Sequence, residues 1–392
     1  MSDNQWLLPE GIEEVLPEAA KRVERVRHDL LSLYRAWGYE LVMPPFIEYL
    51  ESLLTGAGND LELQTFKLTD QLSGRTMGVR ADMTPQVARI DSHVLNREAP
   101  TRLCYIGTVL RTRPLELGGS RSPVQVGAEL YGHKGPESDV EIIRLMIASL
   151  KTVGLDDLLL DLGHVGIFRG LARDAGLDAN QEVELFDILQ RKSVPELEQF
   201  LANCSASDSV KGRLASLCDL AGGKEVLSEA ATIFSGAGEE VIRSLQSLQS
   251  VSELLEQCIP GLNIHYDLAE LRGYHYHTGV VFAAYSVGHG KAIAKGGRYD
   301  NMGLGNVVSR PATGFSGDMN QWVRLSGISS TPYAPGILAP WGDEPGLLEK
   351  IDELRRQGER VIQELPDIDM EQTHGCDRRL VNQSGQWEVV SL

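Results

Sequence analysis

The sequence has few cysteines, and they are scattered. Five occur among 392 residues, an odd number, and no two of them form a C-x-x-C pair. This pattern argues against a disulfide framework and against a zinc knuckle. No run of about 18 apolar residues occurs, and the first residues are acidic where a signal peptide is basic. We therefore expect a protein of the reducing cytoplasm with no contact to a membrane.

Basic residues are also scarce relative to acidic ones. Lys and Arg total 37 against 55 Asp and Glu, which gives a formal net charge of -18. A surface with this charge repels a polyanion unless basic residues are gathered locally. The composition therefore disfavours nucleic acid as a partner and leaves a small zwitterion or another protein as candidates.

The chain is long enough for two or three domains. Its first clear element is an amphipathic helix over residues 18–37, with Gly38 placed to end it. Residues 165–258 carry an almost wholly helical pattern between segments rich in strands. We predict a core made of residues 1–164 and 259–325, a helical insertion over 165–258, and a small α/β appendage over 331–392.

Three segments alternate polar and apolar residues as β-strands do. They are residues 76–84, 101–111 and 122–132, and we expect them to lie in one antiparallel sheet. Gly127 lies on the polar side of the third segment, where a missing side chain leaves room for a ligand or for a close backbone approach. The polar sides of these segments carry Asp82, Thr84, Arg111, Gln125 and Glu129.

These polar side chains are of the types that bind a free amino acid. Carboxylates satisfy its ammonium group, and an arginine or an amide satisfies its carboxylate. The alternative is a set of surface ion pairs, which are common and contribute little to stability. Residue types alone do not decide between the two interpretations.

The segment LRGYHYHTGVVF, residues 271–282, has two histidines two positions apart. On a strand His275 and His277 would face the same way and could approach one metal ion. No H-x-x-x-H pair or cysteine cluster accompanies them, and Arg272 would oppose a cation. We expect no metal here, and we expect one histidine to pack while the other borders a polar site.

A glycine-rich segment, KGGRYDNMGLGN over residues 295–306, is a second candidate for special chemistry. It lacks the order G-x-x-x-x-G-K-[ST], and it lacks the third glycine of a dinucleotide fingerprint. It therefore predicts a turn or a bulge rather than a nucleotide loop. No G-x-S-x-G elbow and no H-E-x-x-H helix occurs either, so no single motif indicates a catalyst.

Several motifs together resemble the catalytic core of the histidyl-tRNA synthetase family. They are VRADMTPQVAR, YIGTVLRTRP, VQVGAELYG, LRGYHYHTGVVF, KGGRYD and ATGFS, in the family's order and approximate spacing over residues 5–325. The resemblance implies an α+β, class II aminoacyl-tRNA synthetase-like fold. That fold has a six-stranded antiparallel sheet flanked by helices, a helical insertion, and a homodimer formed through the core.

The resemblance also implies a set of ligand contacts for histidine. Asp82 stands where the family has a glutamate that holds the substrate ammonium, and Thr84 stands beside it. Tyr276 and His277 stand in place of the family's tyrosine pair, a departure that affects the family's second contact to the ligand imidazole. The implied histidine-binding residues are Asp82, Thr84, Arg111, Gln125, Glu129, Arg272, Tyr276 and His277.

Two positions depart from the synthetase pattern. Motif 2 of class II synthetases reads Arg-x-Glu to hold the nucleotide, and here RTR keeps Arg111 but puts Arg113 in the acidic place. Motif 3 ends in an arginine on the helix after ATGFS, where this chain has Gln321. Loss of a charged contact to a reacting phosphate weakens transition-state stabilisation. We expect adenylation to be crippled, and we expect no catalytic residues.

An amino-acid pocket on a scaffold without activating chemistry resembles the regulatory subunits of short-form ATP phosphoribosyltransferase. That resemblance implies a non-catalytic role in the first committed step of histidine biosynthesis, with feedback inhibition by L-histidine. It implies a catalytic subunit as partner in a hetero-octamer, and no cofactor. The alternatives are a divergent histidyl-tRNA synthetase or another amino-acid ligase, and a tRNA-binding module, which the acidic balance disfavours.

Overall fold

The computed structural model describes residues 6–54, 59–115, 118–271, 273–274, 276–300, 310–328, 335–366 and 375–392. It divides into two compact units, Met1–Ile328 and Ser329–Leu392. No helix in these described ranges is both long enough and apolar enough to cross a bilayer.

The strands of the first unit are mostly three to eight residues long. In chain order they are β1 (Glu40–Leu41), β2 (Ile47–Tyr49), β3 (Lys67–Thr69), β4 (Thr76–Val79), β5 (Thr101–Thr108), β6 (Val124–Tyr131), β7 (Leu158–His164), β8 (Ala221–Gly222), β9 (Asn263–Asp267), β10 (Val280–Ser286), β11 (Ala292–Tyr299) and β12 (Ala312–Asp318).

The helices of the first unit range from single turns to 20 residues. They are α1 (Pro17–Ala36), α2 (Leu50–Leu54), α3 (Asn59–Gln64), α4 (Thr84–Arg89), α5 (Pro136–Thr152), α6 (Val165–Asp174), α7 (Ala179–Gln190), α8 (Val194–Asn203), α9 (Asp208–Ser216), α10 (Glu225–Ile233), α11 (Glu239–Cys258) and α12 (Met319–Leu325), and a π-helical segment, Ile90–Leu95, follows α4.

A large mixed sheet organises the first unit. Its strand order is β1-β5-β6-β12-β11-β10-β7-β9-β8. The six central strands, from β5 to β7, pair antiparallel throughout. Strand β1 adds to one edge in parallel with β5, and β9 adds to the other edge in parallel with β7. The predicted α+β fold with a helix-flanked antiparallel sheet is confirmed, and the implied six strands form the middle of a wider sheet.

Helices cover the sheet through the apolar stripes that the sequence predicts. Helix α1 buries Val26, Leu30 and Tyr34, and it ends before Gly38, whose φ of +81° is a conformation that glycine adopts without strain. These side chains join a core that includes α5, the helices of residues 165–258 and one face of the sheet. A smaller apolar cluster lies on the opposite face, and it includes Tyr105 and Tyr299. The polar residues of interest lie on this second face.

Two strand predictions are wrong. The alternation of residues 76–84 predicts one strand, but β4 ends at Val79 and helix α4 begins at Thr84. Pro85 explains the change, because proline suits the first turn of a helix and cannot donate to a strand ladder. In addition, β4 pairs with β2 and β3 in a separate three-stranded sheet and does not join β5 and β6.

The second unit is a small α/β arrangement. Its strands are β13 (Gly336–Ala339), β14 (Val361–Gln363), β15 (Cys376–Gln383) and β16 (Gln386–Ser391), in the order β14-β13-β15-β16. Helix α13 (Leu347–Arg356) packs Leu347, Ile351 and Leu354 against Ile337 and Leu380 of the sheet. Buried residues recur along α13 at spacings of four and three positions, as they do in an amphipathic helix.

A buried ion pair joins α5 to the central strands of the first unit. Arg298 of β11 lies 2.9 Å from Asp139 of α5, and the hydroxyl of Thr313 donates to the same carboxylate at 2.6 Å. The guanidinium also donates to the carbonyl oxygens of His133 and Gly135. Both charged side chains are almost fully buried. A second carboxylate, that of Asp300, lies farther from Arg298, at 3.7 Å, so Asp139 is the close buried partner that compensates its charge.

We expect Asp139→Ala to lower the free energy of unfolding by about 3 to 5 kcal/mol, because Arg298 would keep a buried charge without its partner. Urea denaturation of the full-length chain measures this change. The double variant Asp139→Leu with Arg298→Met, which removes both charges and keeps apolar volume, should recover most of the loss. A single variant within about 0.5 kcal/mol of the native chain would contradict this account.

Candidate functional site

A buried carboxylate lies at the centre of the second face of the sheet. Glu129 of β6 is only 1% exposed. The hydroxyl of Tyr105 donates to its Oε1 at 3.0 Å, and the hydroxyl of Tyr299 donates to its Oε2 at 2.6 Å. A Cβ atom at Gly314, on the neighbouring strand β12, would overlap this carboxylate. Glycine at that position is therefore a condition for placing Glu129 here.

The environment of Glu129 holds its proton more tightly than water does. Burial raises its pKa to about 8, and the two tyrosine hydrogen bonds offset only part of that effect. Desolvation acts in this direction because it disfavours the charged form of a carboxyl group. A cation that entered next to Glu129 would favour the charged form, so this carboxyl group is suited to receive a positively charged or hydrogen-donating ligand group.

A second carboxylate is connected to the first through hydrogen bonds. Asp82 Oδ1 accepts from the backbone N–H of Thr84 at 2.8 Å and from Nε2 of Gln125 at 2.9 Å. Gln125 in turn accepts from the backbone N–H of Met83 at 2.8 Å, which fixes its amide. The Thr84 hydroxyl lies 3.0 Å from the hydroxyl of Tyr105. Among the described residues both hydrogen bonds to Asp82 reach Oδ1, which leaves Oδ2 as an acceptor for a ligand.

The structure therefore brings four of the predicted residues into one polar network. Through Tyr105, it links Asp82, Thr84 and Gln125 to Glu129. The sequence analysis did not identify Tyr105, although the period-two alternation of β5 puts it on the same side as Gly107. We call this set the carboxylate network, and its members are Asp82, Thr84, Tyr105, Gln125, Glu129 and Tyr299.

The space at Gly127 has a different use from the ligand space that the sequence allowed. A Cβ atom there would lie 2.5 Å from the hydroxyl oxygen of Tyr105 and 2.5 Å from the carbonyl oxygen of Phe315. Gly127 therefore allows the close approach of Tyr105 and of the Phe315 backbone, and it does not leave room for a ligand. The missing side chain lets the Tyr105 ring reach across to Glu129.

The segment after Leu271 contributes two aromatic side chains to the same region. The Tyr276 ring packs on Tyr299 with 4.9 Å between centroids, and its buried hydroxyl has no hydrogen-bond partner among the described residues. The His277 ring fills the space over Gly297, and its Nδ1 is likewise buried without a described partner. Burial lowers the pKa of His277 to about 4, so this histidine is neutral at pH 7.

Two predicted positions lie outside the described residues, namely Arg272 and His275. Within the described ranges, no three side chains of His, Cys, Asp or Glu gather as metal ligands would. The expected turn or bulge at residues 295–306 is wrong for its first part, because residues 295–299 belong to the regular strand β11. The rest of that segment lies outside the described residues.

An open cavity of about 450 Å³ adjoins the carboxylate network. Gln125 and Arg111 both line it, so Gln125 faces the network on one side and the cavity on the other. The Arg111 side chain is anchored by a 3.2 Å bond from Nε to the carbonyl oxygen of Ala81. Gln321, at the start of α12, also lines the cavity and lies 3.0 Å from Nε2 of His289.

The cavity is richer in positive charge than the chain as a whole. Among its described lining residues the cations outnumber the carboxylates, in a chain whose net charge is -18. The cations are Arg111, Lys291, Lys295 and Arg324, and the carboxylates are Glu13 and Asp318. Arg113, the residue at the acidic place of motif 2, is exposed.

The sheet topology and the polar site on its second face together define a class II aminoacyl-tRNA synthetase-like protein. The family model "Histidyl-tRNA synthetase" matches residues 11–322, and the model "ATP phosphoribosyltransferase subunit HisZ C-terminal domain" matches residues 334–390. The chain is 58% identical to an "ATP phosphoribosyltransferase regulatory subunit" of Thioalkalivibrio sulfidiphilus, over 99% of both chains. A relative of the same name from Alkalilimnicola ehrlichii is 56% identical over 98% of this chain and 96% of its own length. The chain belongs to this family of ATP phosphoribosyltransferase regulatory subunits.

Solved structures agree with this assignment. An ATP phosphoribosyltransferase regulatory subunit/histidyl-tRNA synthetase from Bacillus halodurans superimposes with a TM-score of 0.80 at 27% identity, covering 94% of this chain and 96% of its own. A histidyl-tRNA synthetase from Nostoc gives a TM-score of 0.76 at 17% identity, covering 98% and 97%. The second likeness establishes the fold alone.

The raised pKa of Glu129 predicts a pH dependence of stability. The folded chain binds this proton more tightly than the unfolded chain, whose reference pKa is 4.5. The contribution of Glu129 to stability is therefore complete below about pH 4.5 and declines as pH rises towards 8. We expect the native chain to lose stability relative to Glu129→Gln over this window, as measured by urea denaturation at several pH values. Parallel pH profiles for the two chains would contradict this prediction.

Proposed function

We propose that the chain is a non-catalytic regulatory subunit that binds L-histidine in the carboxylate network and mediates feedback inhibition of ATP phosphoribosyltransferase. One observation carries the proposal. A buried carboxyl group, Glu129, and a partly buried one, Asp82, belong to one hydrogen-bonded network next to a cavity whose charged lining is mainly cationic. That distribution complements a zwitterion. The names of the relatives identify the enzyme that is regulated.

Free histidine has three polar groups, and the site offers a complement for each. Asp82 accepts from the ammonium through its available oxygen, as a carboxylate does. Arg111 pairs with the ligand carboxylate at the cavity side, where charge-assisted bonds are strongest. Glu129 and the hydroxyl of Tyr276, which has no hydrogen-bond partner within the described ranges, face the imidazole at the buried end. We propose that Thr84, Gln125 and His277 complete the pocket, and that Arg272 does so from outside the described residues.

The non-catalytic part of the proposal rests on the cavity's charge pattern. A synthetase uses charged groups on both sides of the nucleotide, and their loss reduces transition-state stabilisation. In this chain Gln321 presents a neutral amide to the cavity, and its amide contacts His289. Arg113, which stands at the acidic place of motif 2, is exposed. Because neither position has the charge that a synthetase uses there, we propose that histidine binds as an effector and is not activated as a substrate.

Regulation requires that histidine bind one arrangement of the assembly better than another. We propose that the partner is the short-form catalytic subunit, that the assembly is a hetero-octamer built on a homodimer of this chain, and that it is cytoplasmic. A coupling free energy of about 1 to 3 kcal/mol between the effector site and the partner's active site would suffice for feedback control.

Calorimetric titration of the full-length chain with L-histidine tests the binding step. We expect saturable binding, weakened at least about ten-fold in Glu129→Gln, because the variant keeps the shape but loses a charge-assisted hydrogen bond. The matched control is Glu256→Gln, on the exposed face of α11, where the carboxylate pairs with the surface residue Lys224. This control should bind as the native chain does.

The same variants test the regulatory step when they are mixed with the catalytic subunit. Glu129→Gln should raise the histidine concentration that halves phosphoribosyl transfer by the same factor as it raises the dissociation constant. Equal inhibition of both mixtures would contradict an effector role for this pocket. Histidine-dependent exchange of pyrophosphate into ATP by the chain alone would instead establish an amino-acid-activating enzyme.

A further inference from the structure

Tyr274 is buried among side chains of the helices that follow β7. It is 6% exposed, and its ring meets Phe168 of α6 edge-on, with 5.1 Å between centroids. The ring of Phe186 of α7 lies at 5.4 Å, and the Arg169 guanidinium lies 4.7 Å from the Tyr274 centroid. Aromatic and cation–π contacts of this kind each contribute beyond simple burial. The ring is therefore held from two helices at once.

The hydroxyl and the carbonyl oxygen of Tyr274 form hydrogen bonds to the same two helices. Its hydroxyl donates to Oε1 of Glu182 on α7. Its carbonyl oxygen accepts from the Arg169 guanidinium of α6 at 2.5 Å. Glu182 and Phe186 are four residues apart, so both face Tyr274 from one side of α7. Tyr274 thus connects α6 and α7 to the segment that follows Leu271.

The described residues next to Tyr274, namely Gly273, Tyr276 and His277, are joined by backbone hydrogen bonds and lead into the carboxylate network. The backbone N–H groups of Tyr276 and His277 both donate to the carbonyl oxygen of Gly273, at 2.8 and 2.7 Å. Tyr276 then packs on Tyr299, whose hydroxyl donates to Glu129. A displacement of Tyr274 would therefore move the two side chains that border the buried end of the site.

Helix α6 is itself fixed to the sheet, so the support is rigid. His164, the last residue of β7, accepts from the backbone N–H of Gly166 through its imidazole and caps the helix. The N–H of Val165 donates to the carbonyl oxygen of Gly279 at 3.1 Å. The N–H of Thr278 donates to the carbonyl oxygen of Arg298 on β11. Residues 273–274 and 276–279 are thus held by the helices on one side and by the sheet on the other.

We propose that Tyr274 is a positioning residue through which helices α6 and α7 set the geometry of the effector site. This inference rests on the proposed function, because it assigns Tyr274 an effect on histidine binding without contact to histidine. The proposed role of Tyr274 connects the helical region of residues 165–258 to the site. A perturbation of α6 or α7 would change effector affinity through the Tyr274–Glu182 bond.

The test compares Tyr274→Phe, Glu182→Ala and the double variant in the full-length chain. Tyr274→Phe keeps the ring contacts and removes one donor, so we expect the dissociation constant for L-histidine to rise about five-fold. Glu182→Ala should weaken binding similarly, and the double variant should be no weaker than Glu182→Ala alone, because both changes break one bond.

Tyr266→Phe is the matched control. Tyr266 is 1% exposed, and its hydroxyl lies 2.5 Å from the Ser252 hydroxyl on α11, a helix that contributes none of the hydrogen bonds to Tyr274 named above. This control should lower the melting temperature as Tyr274→Phe does, yet it should leave histidine affinity unchanged. Equal losses of affinity in Tyr266→Phe and Tyr274→Phe would show a general effect of stability and would overturn the positioning role.

Amide hydrogen exchange without ligand separates this inference from the proposed function. We expect Tyr274→Phe, but not Tyr266→Phe, to speed exchange of the amides of residues 274 and 276–278. If that occurs while the native chain binds no histidine, the positioning role stands and the histidine function fails. Unchanged exchange together with unchanged histidine affinity would overturn the positioning role.

Discussion

The buried carboxyl group of Glu129 is the constraint on which the rest of the site depends. An uncompensated carboxylate in this environment would cost several kcal/mol. Two tyrosine hydroxyls donate hydrogen bonds to Glu129, and burial raises its pKa. This arrangement requires space on β6, the strand of Glu129 itself, and on the neighbouring strand β12. Gly314 makes room for the carboxylate itself, and Gly127 makes room for the ring of Tyr105. Glycines within regular strands weaken a sheet, so their presence here follows from the group they accommodate.

The buried carboxyl group of Glu129 also suits the site to ligand binding rather than to catalysis. A carboxyl group that holds a proton until a cationic or hydrogen-donating ligand arrives is well suited to recognition. The adjoining cavity supplies positive charge for an anionic ligand end, through Arg111 among others. Within that cavity Gln321 presents an amide where the resemblance to synthetases implies an arginine. A fold that hosts one function can host another when its site changes, and we propose that the change in this chain removes activation while it leaves the pocket.

Sequence reasoning could identify much of this site because strand alternation determines sides. The pattern of residues 124–131 placed Gln125 and Glu129 together, and the structure confirms that both lie on one face of β6. The same reasoning failed at residues 76–84, because alternation of side chains does not register a proline-induced helix start. It also could not find the partners of Tyr274, since Phe168 and Glu182 are about a hundred residues distant in the chain and meet it only through the packing of α6 and α7.

The most direct test of the account is a crystal structure of the full-length chain with L-histidine bound. The account predicts the imidazole at the buried end, with a ring nitrogen in hydrogen-bond distance of Glu129, the ammonium at Asp82 and the carboxylate towards Arg111. Histidine bound in the open cavity away from Glu129, or on another surface of the chain, would contradict the central claim that the buried carboxyl group recognises the effector.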